Sequence, residues 1–159
     1  MPYNLERVQE RVISKAGKVD VLVFPEAVLS GYFLEGAVSE AALSADELAQ
    51  GIGIPSPDAP DIVIGFYERW NHRLYNSVAY LSKEGGAYQV KHVHRKMFLP
   101  TYGVFDEARF VEPGTEIQAF DTRYGRFGML VCEDAWHSAP GMVLALDGAE
   151  VVFVVSASP

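Results

Sequence analysis

Residues 61–93, DIVIGFYERWNHRLYNSVAYLSKEGGAYQVKHV, decide the architecture. Three runs within it, DIVIGFYE (61–68), LYNSVAYLS (74–82) and AYQVKHV (87–93), are rich in β-branched and aromatic residues, which predicts consecutive strands. Glu84-Gly85-Gly86 predicts a hairpin turn between the last two, because glycine takes up the turn conformation at no steric cost. Before this β-rich middle lie a weak helical patch at 46–50 and the loop GIGIPSPDAPD (51–61), whose Gly and Pro forbid regular structure. Earlier still, Leu5, Val8, Val12, Ile13 and Ala16 make the apolar stripe of a surface helix ended by Gly17. VDVLVF (19–24) then predicts a buried strand, cut off by Pro25. After the middle, 94–114 holds Pro100, Gly103 and Pro113 and is long for a loop inside a compact domain, and such loops tend to be functional. Strands are expected at 116–120, 127–131 and 150–155, with a helix at 139–146 before the last. Helices and strands alternate at the ends while hairpins fill the middle, so the class is α/β with one or two mixed sheets.

The 159 residues suit one domain or a piece of a larger one. Composition, with 49% hydrophobic and 21% charged residues, is that of an ordinary globular chain. A formal charge of −8 repels nucleic-acid phosphates and anionic lipid surfaces, so neither is expected as a partner. The longest apolar run is the five residues 151–155, far short of the roughly 20 that span a bilayer. MPYNLERVQERV has no apolar signal region, and one cysteine makes no internal disulfide, so a reducing cytoplasm is the expected compartment. The chain opens on a helix with no strand before it and closes on SASP after a strand, from which an incomplete domain is expected over 1–159.

Three polar residues stand where strands end. Cys132 follows RFGMLV, Glu26 follows VDVLVFP, and Lys96 follows the strand leading into HVHRKMFLP. Singly, each has a bland explanation: free cysteines are mostly inert core fillers, and the acid and the lysine would suit a solvated surface. Together, a thiol, a carboxylate and an ammonium at strand ends supply a nucleophile, a base and an electrostatic stabiliser for acyl transfer.

FPEAVLSGY, HRKMFLPTYGVFDEARFVEPG and GMLVCEDAW, in that order, resemble the three motifs of the nitrilase, or carbon–nitrogen hydrolase, superfamily, and the resemblance extends from about Leu5 to Pro159. It implies an α-β-β-α sandwich, of which 1–159 would lack the first strand and the C-terminal part, and a Glu-Lys-Cys triad falling on Glu26, Lys96 and Cys132, with a second glutamate, Glu107 in FDEARF, helping to position lysine and substrate. It implies hydrolysis of a non-peptide C–N bond through a cysteine thioester, without metal or organic cofactor, and a homo-oligomer paired through outer-face helices. LPTYGVFDE and CEDAW resemble most the glutamine-hydrolysing branch, which would set Tyr102, Glu133 and Trp136 beside the substrate. For Glu133 the alternative is a helix-capping role after the turn. A small aliphatic amide, an N-carbamoyl compound or a nitrile would use the same triad.

Other readings compete. His92 and His94 share a strand face and, with Cys132, Asp134 and His137, would make a zinc site, although the spacing lacks a known zinc signature. A serine hydrolase has less support: no GxSxG is present and Ser30 has no argued base. A half-domain without turnover, or an interaction module, would retain the same motifs.

Overall fold

The computed structural model describes residues 2–157 apart from 33, 54 and 104. In chain order it contains α1 (Pro2–Lys15), β1 (Val21–Val23), α2 (Val38–Ala41), α3 (Ala45–Ile52), β2 (Asp61–Trp70), β3 (Arg73–Glu84), β4 (Ala87–Arg95), β5 (Phe120–Thr122), β6 (Gly125–Val131), α4 (Ser138–Leu146) and β7 (Val151–Val155). Two mixed sheets result. In one, β1 is parallel to β2, and β2, β3 and β4 are antiparallel neighbours. In the other, β6 is antiparallel to β5 and parallel to β7.

Alternation along β2 and β3 builds the layers. Ile62, Ile64 and Phe66, with Ala79 and Leu81, pack against Val8 and Val12 of α1 and Leu48 and Ile52 of α3. The intervening Val63, Val78 and Tyr80 face Phe127, Met129 and Val131 of β6 and Val155 of β7. Both faces of the first sheet are therefore covered, which is why β2 is an almost unbroken apolar run. On the far side of the second sheet, Leu144 of α4 packs on Leu130, and a side chain at Gly128 would collide with Leu144. The layers follow the expected α-β-β-α order.

Local chemistry explains the boundaries. Ser44 and Glu47 form a reciprocal capping box that starts α3, worth about 1 kcal/mol. Gly17, at φ 68°, follows α1, and Gly85 and Gly86, both at positive φ, turn β3 into β4 as expected. The turn between β2 and β3 was not located in advance: Asn71 and His72 both adopt positive φ, which glycine-based reasoning passes over. Two expected strands are shorter in the structure. β1 is an edge strand with Val23 44% exposed, where a buried strand was expected. The run at 116–120 contributes only Phe120 to a ladder; Ile117 and Ala119 are apolar because they pack near Leu130 and Leu144, not because they pair. No helix among the described residues is long and apolar enough to cross a membrane.

Candidate active site

The site forms where β1, β4, β6 and β7 end. Beyond β1, Pro25 turns the chain and Ala27 adopts φ 48°. This bend crosses Gly65 of β2 so closely that a Cβ there would lie 2.5 Å from the Glu26 Cα, so only glycine lets Glu26 enter the interior. Beyond β4, the Lys96 N–H donates to the Asn76 carbonyl at 2.8 Å, which continues the β3–β4 ladder by one bond and carries Lys96 inward. Beyond β6, Cys132 sits at φ 45° at the head of a 3-10 turn, Cys132–Trp136. A non-glycine residue held there stores strain of the kind that clusters at functional positions.

Lys96 is fully buried, with its Nζ 3.0 Å from Glu26 Oε1 and 2.7 Å from Glu107 Oε2. A solitary ammonium would not survive such burial, but two carboxylates compensate it. Burial pulls its pKa down, and the charges and hydrogen bonds of Glu26 and Glu107 outweigh that and raise it, so the group is an ammonium throughout the neutral range. Asn76 Nδ2 donates to Glu26 Oε1 at 2.7 Å and also to Glu107 Oε1. The Tyr32 hydroxyl donates to Glu107 Oε2 at 3.2 Å, and the Ala157 N–H to Glu26 Oε2 at 2.8 Å. Burial, then Glu107, push the Tyr32 pKa far up, so that hydroxyl keeps its proton and acts as a donor.

Burial, and behind it the Glu26 carboxylate, push the Cys132 thiol up; the Lys96 ammonium and a Ser156 hydrogen bond oppose this without overcoming it. At neutral pH the resting sulfur is therefore a thiol, which would act as a nucleophile only after losing its proton.

Asp134, two residues on, is fully buried and ties the site together. Its Oδ1 accepts the Met97 and Phe98 N–H groups at 2.9 and 3.0 Å, and its Oδ2 accepts the Val131 N–H at 3.1 Å. His94 Nε2 lies 2.8 Å from the same Oδ2 and must carry the proton, since a carboxylate has none to give. One side chain thus clamps the turn that carries Cys132 to the segment that follows Lys96.

Of the anticipated residues, Glu26, Lys96, Glu107 and Cys132 are brought together. Tyr102 and Glu133 meet at the rim, the tyrosine hydroxyl donating to Glu133 Oε2 at 2.8 Å, and His137 Nε2 lies 3.6 Å from Glu133 Oε1. Trp136 is 83% exposed and belongs to no buried cluster. The zinc arrangement does not form: His94 is engaged with Asp134, the His92 ring stacks on Phe120 at 4.5 Å, and among the described residues no three His, Cys, Asp or Glu side chains converge as metal ligands would. Asn76 and Tyr32 were missed as site residues, and His94 and Asp134 were considered only as ligands of the zinc reading. Only Asp134 carried a signal, an acid two places after a strand-end nucleophile, where a side chain can cap the turn.

Comparison with known proteins places this geometry. At 35% identity over 149 residues, the chain is similar to a glutamine-dependent NAD(+) synthetase of Xylella fastidiosa, covering 88% of this chain and 26% of that protein. It is 32% identical over 111 residues to an N-carbamoylputrescine amidase of Solanum lycopersicum, covering 69% of this chain and 34% of the amidase. The solved glutamine-dependent NAD+ synthetase of Acinetobacter baumannii superposes with a TM-score of 0.78 at 29% identity, covering 98% of this chain and 30% of that one. The chain thus spans about a quarter to a third of the length of these relatives. The family profile described as carbon-nitrogen hydrolase matches residues 2–159, and the chain belongs to that family.

Proposed function

We propose that this chain hydrolyses a small amide through a thioester on Cys132, with Glu26 as base and acid, Lys96 as electrostatic stabiliser and Glu107 as the carboxylate that holds Lys96 in place. The observation that carries this reading is the burial of the Lys96 ammonium between two carboxylates, one of which, Glu26, raises the pKa of a thiol on a strained turn. Glu26 takes the thiol proton as sulfur bonds to the amide carbon, and the carbonyl π pair moves to oxygen. Lys96 and the backbone N–H of Glu133 stabilise that oxyanion. As the oxyanion collapses, the C–N bond breaks and Glu26 returns its proton to the departing ammonia or amine. A water then gives a proton to Glu26 and adds to the thioester; the acid leaves and the thiolate recovers the proton.

Glutamine is the substrate best supported, because Glu133 adjoins the nucleophile, holds Tyr102 at the rim, and is suited to receive an α-ammonium. Similarity to an N-carbamoylputrescine amidase supports a second reading, an N-carbamoyl amine. The lone thiol supports a cytoplasmic location, and the apolar outer face of α4, with Met142 and Leu146 exposed, supports self-association. Ammonia release from glutamine, N-carbamoyl amines, simple amides and nitriles, measured for the wild type and for Cys132→Ala, tests the proposal. Turnover of one class is expected in the wild type, with loss of at least about 10⁴-fold in a folded alanine variant. Wild-type turnover in that variant would rule the thiol mechanism out.

A further inference from the structure

We infer that Asn76 is a positioning residue of this site, its side-chain amide holding the Glu26 and Glu107 carboxylates in the arrangement that receives Lys96. The inference rests on the catalytic reading just given and adds a residue to it. Asn76 lies on β3 and is fully buried. Its main chain holds the lysine, accepting the Lys96 N–H at 2.8 Å, while its side chain holds both acids.

Chemistry determines which way the amide points. Turning it over would set Oδ1 lone pairs against two carboxylates, whereas Nδ2 offers one hydrogen to each. In this orientation Oδ1 is buried with no hydrogen-bond partner among the described residues. A side chain retained for packing alone has no reason to leave an acceptor unmet, and such exceptions call for an explanation. The explanation lies in the charge balance. Two carboxylates repel each other and share one ammonium. Asn76 bridges them with two neutral donors, adding no charge that would compete with Lys96 for either acid. The other groups facing the pair are the Tyr32 hydroxyl on Glu107, with the Tyr67 hydroxyl donating to the Tyr32 carbonyl behind it, and the Ala157 N–H on Glu26, whose charge also raises the pKa of the Cys132 thiol.

Asn76→Leu and Asn76→Asp keep the side chain's approximate size and remove the paired donors; Asn76→Asp also places a third carboxylate against one ammonium. Made in the whole chain, both are expected to lower kcat by about 10²-fold or more with KM little changed, the size of effect that small misplacement of catalytic groups produces. Asn76→Asp should regain part of its rate relative to wild type as pH falls, because its carboxyl, once protonated, donates an O–H; Asn76→Leu should not. A readout free of substrate is available because Cys132 is the only cysteine: iodoacetamide should alkylate it several-fold more slowly in Asn76→Asp than in wild type at the same pH, since added negative charge beside Glu26 disfavours the thiolate. Thermal unfolding accompanies each measurement. Wild-type kcat and alkylation rate in the folded variants would overturn the inference. So would a loss that is the same at every pH in both variants and follows only the fraction unfolded. If the wild type hydrolyses no amide while Asn76→Asp still slows alkylation, the catalytic reading fails and the positioning role stands. If Cys132→Ala abolishes turnover and the Asn76 variants do not alter it, the reverse holds.

Discussion

Two polar clusters meet at Cys132 and differ in almost every physical respect. Behind the sulfur, Glu26, Lys96, Glu107 and Asn76 are buried, and both Glu26 oxygens, both Glu107 oxygens, the Lys96 ammonium and the Asn76 amide nitrogen are engaged. At the rim, Tyr102 is 59% exposed and donates to Glu133, which His137 approaches only at 3.6 Å. In the dry cluster each charge depends on the others, since breaking a buried pair leaves an uncompensated ion. At the wet rim, water replaces a lost partner at little cost. Under the proposed function this amounts to a division of labour, with a chemical apparatus set rigidly by the fold and a recognition edge free to vary with substrate.

The comparison is broken most directly at Lys96. Lys96→Ala and Glu26→Ala are each expected to reduce turnover about as far as loss of the nucleophile does, by at least about 10⁴-fold, because members of a catalytic unit are strongly non-additive. Lys96→Ala should also cost about 3–5 kcal/mol of stability, measured by urea unfolding, as it strands two buried carboxylates. Lys96→Arg should not rescue turnover, because a planar guanidinium does not fit a space built for a compact ammonium. Near-normal rates in the arginine variant would put Lys96 with the rim.

Asp134 sharpens the comparison on the side of stability. Asp134→Asn should cost about 3 kcal/mol, as one amide oxygen cannot accept from Met97, Phe98, Val131 and His94 together. The effect has a defined pH dependence. Burial tends to raise the carboxyl's pKa, but the His94 contact and the Phe98 and Val131 N–H groups lower it further than burial raises it. A pKa depressed by folding contributes stability above the unfolded value of about 4, and that contribution is lost as pH falls through the folded value. Unfolding curves of wild type and Asp134→Asn should therefore converge on acidification; a constant gap would show that Asp134 acts by shape alone.

The smallest effect belongs to the rim. Glu133→Gln should raise KM for an α-amino amide by about 10-fold, the loss of one charge-assisted contact, with kcat less affected and stability within about 1 kcal/mol of wild type. An equal fall in kcat and kcat/KM would instead place Glu133 among the groups that act on the transition state.

How far the sequence could be read varied with the range of the interaction responsible. Runs rich in β-branched, aromatic and other apolar residues located β2, β3, β4 and β6 to within a few residues, since side-chain alternation and turn chemistry are local. The Asn71-His72 turn escaped because neither residue is glycine, though both adopt positive φ. The run at 116–120 misled because Ile117 and Ala119 are buried against α4 and β6 without pairing in a ladder. Within the site, Glu26, Lys96 and Cys132 stood out as polar groups directly after apolar strands, and Glu107 through motif resemblance.

By itself, the sequence determined the strand-rich middle, the α/β class and the three polar strand ends, because each follows from residues within a few positions of one another. Only the tertiary structure decided that these ends converge, that Asn76 lies between two acids 50 and 31 residues away, and that Asp134 reaches back to Met97 and Phe98. Asn76 sits in LYNSVAYLS as one polar residue among strand formers, with nothing nearby to mark it. The role inferred for it arises where β3 runs between β2 and β4, within reach of the Glu26 and Glu107 side chains, because burial turns a few hydrogen bonds between distant residues into the balance of charge at the site.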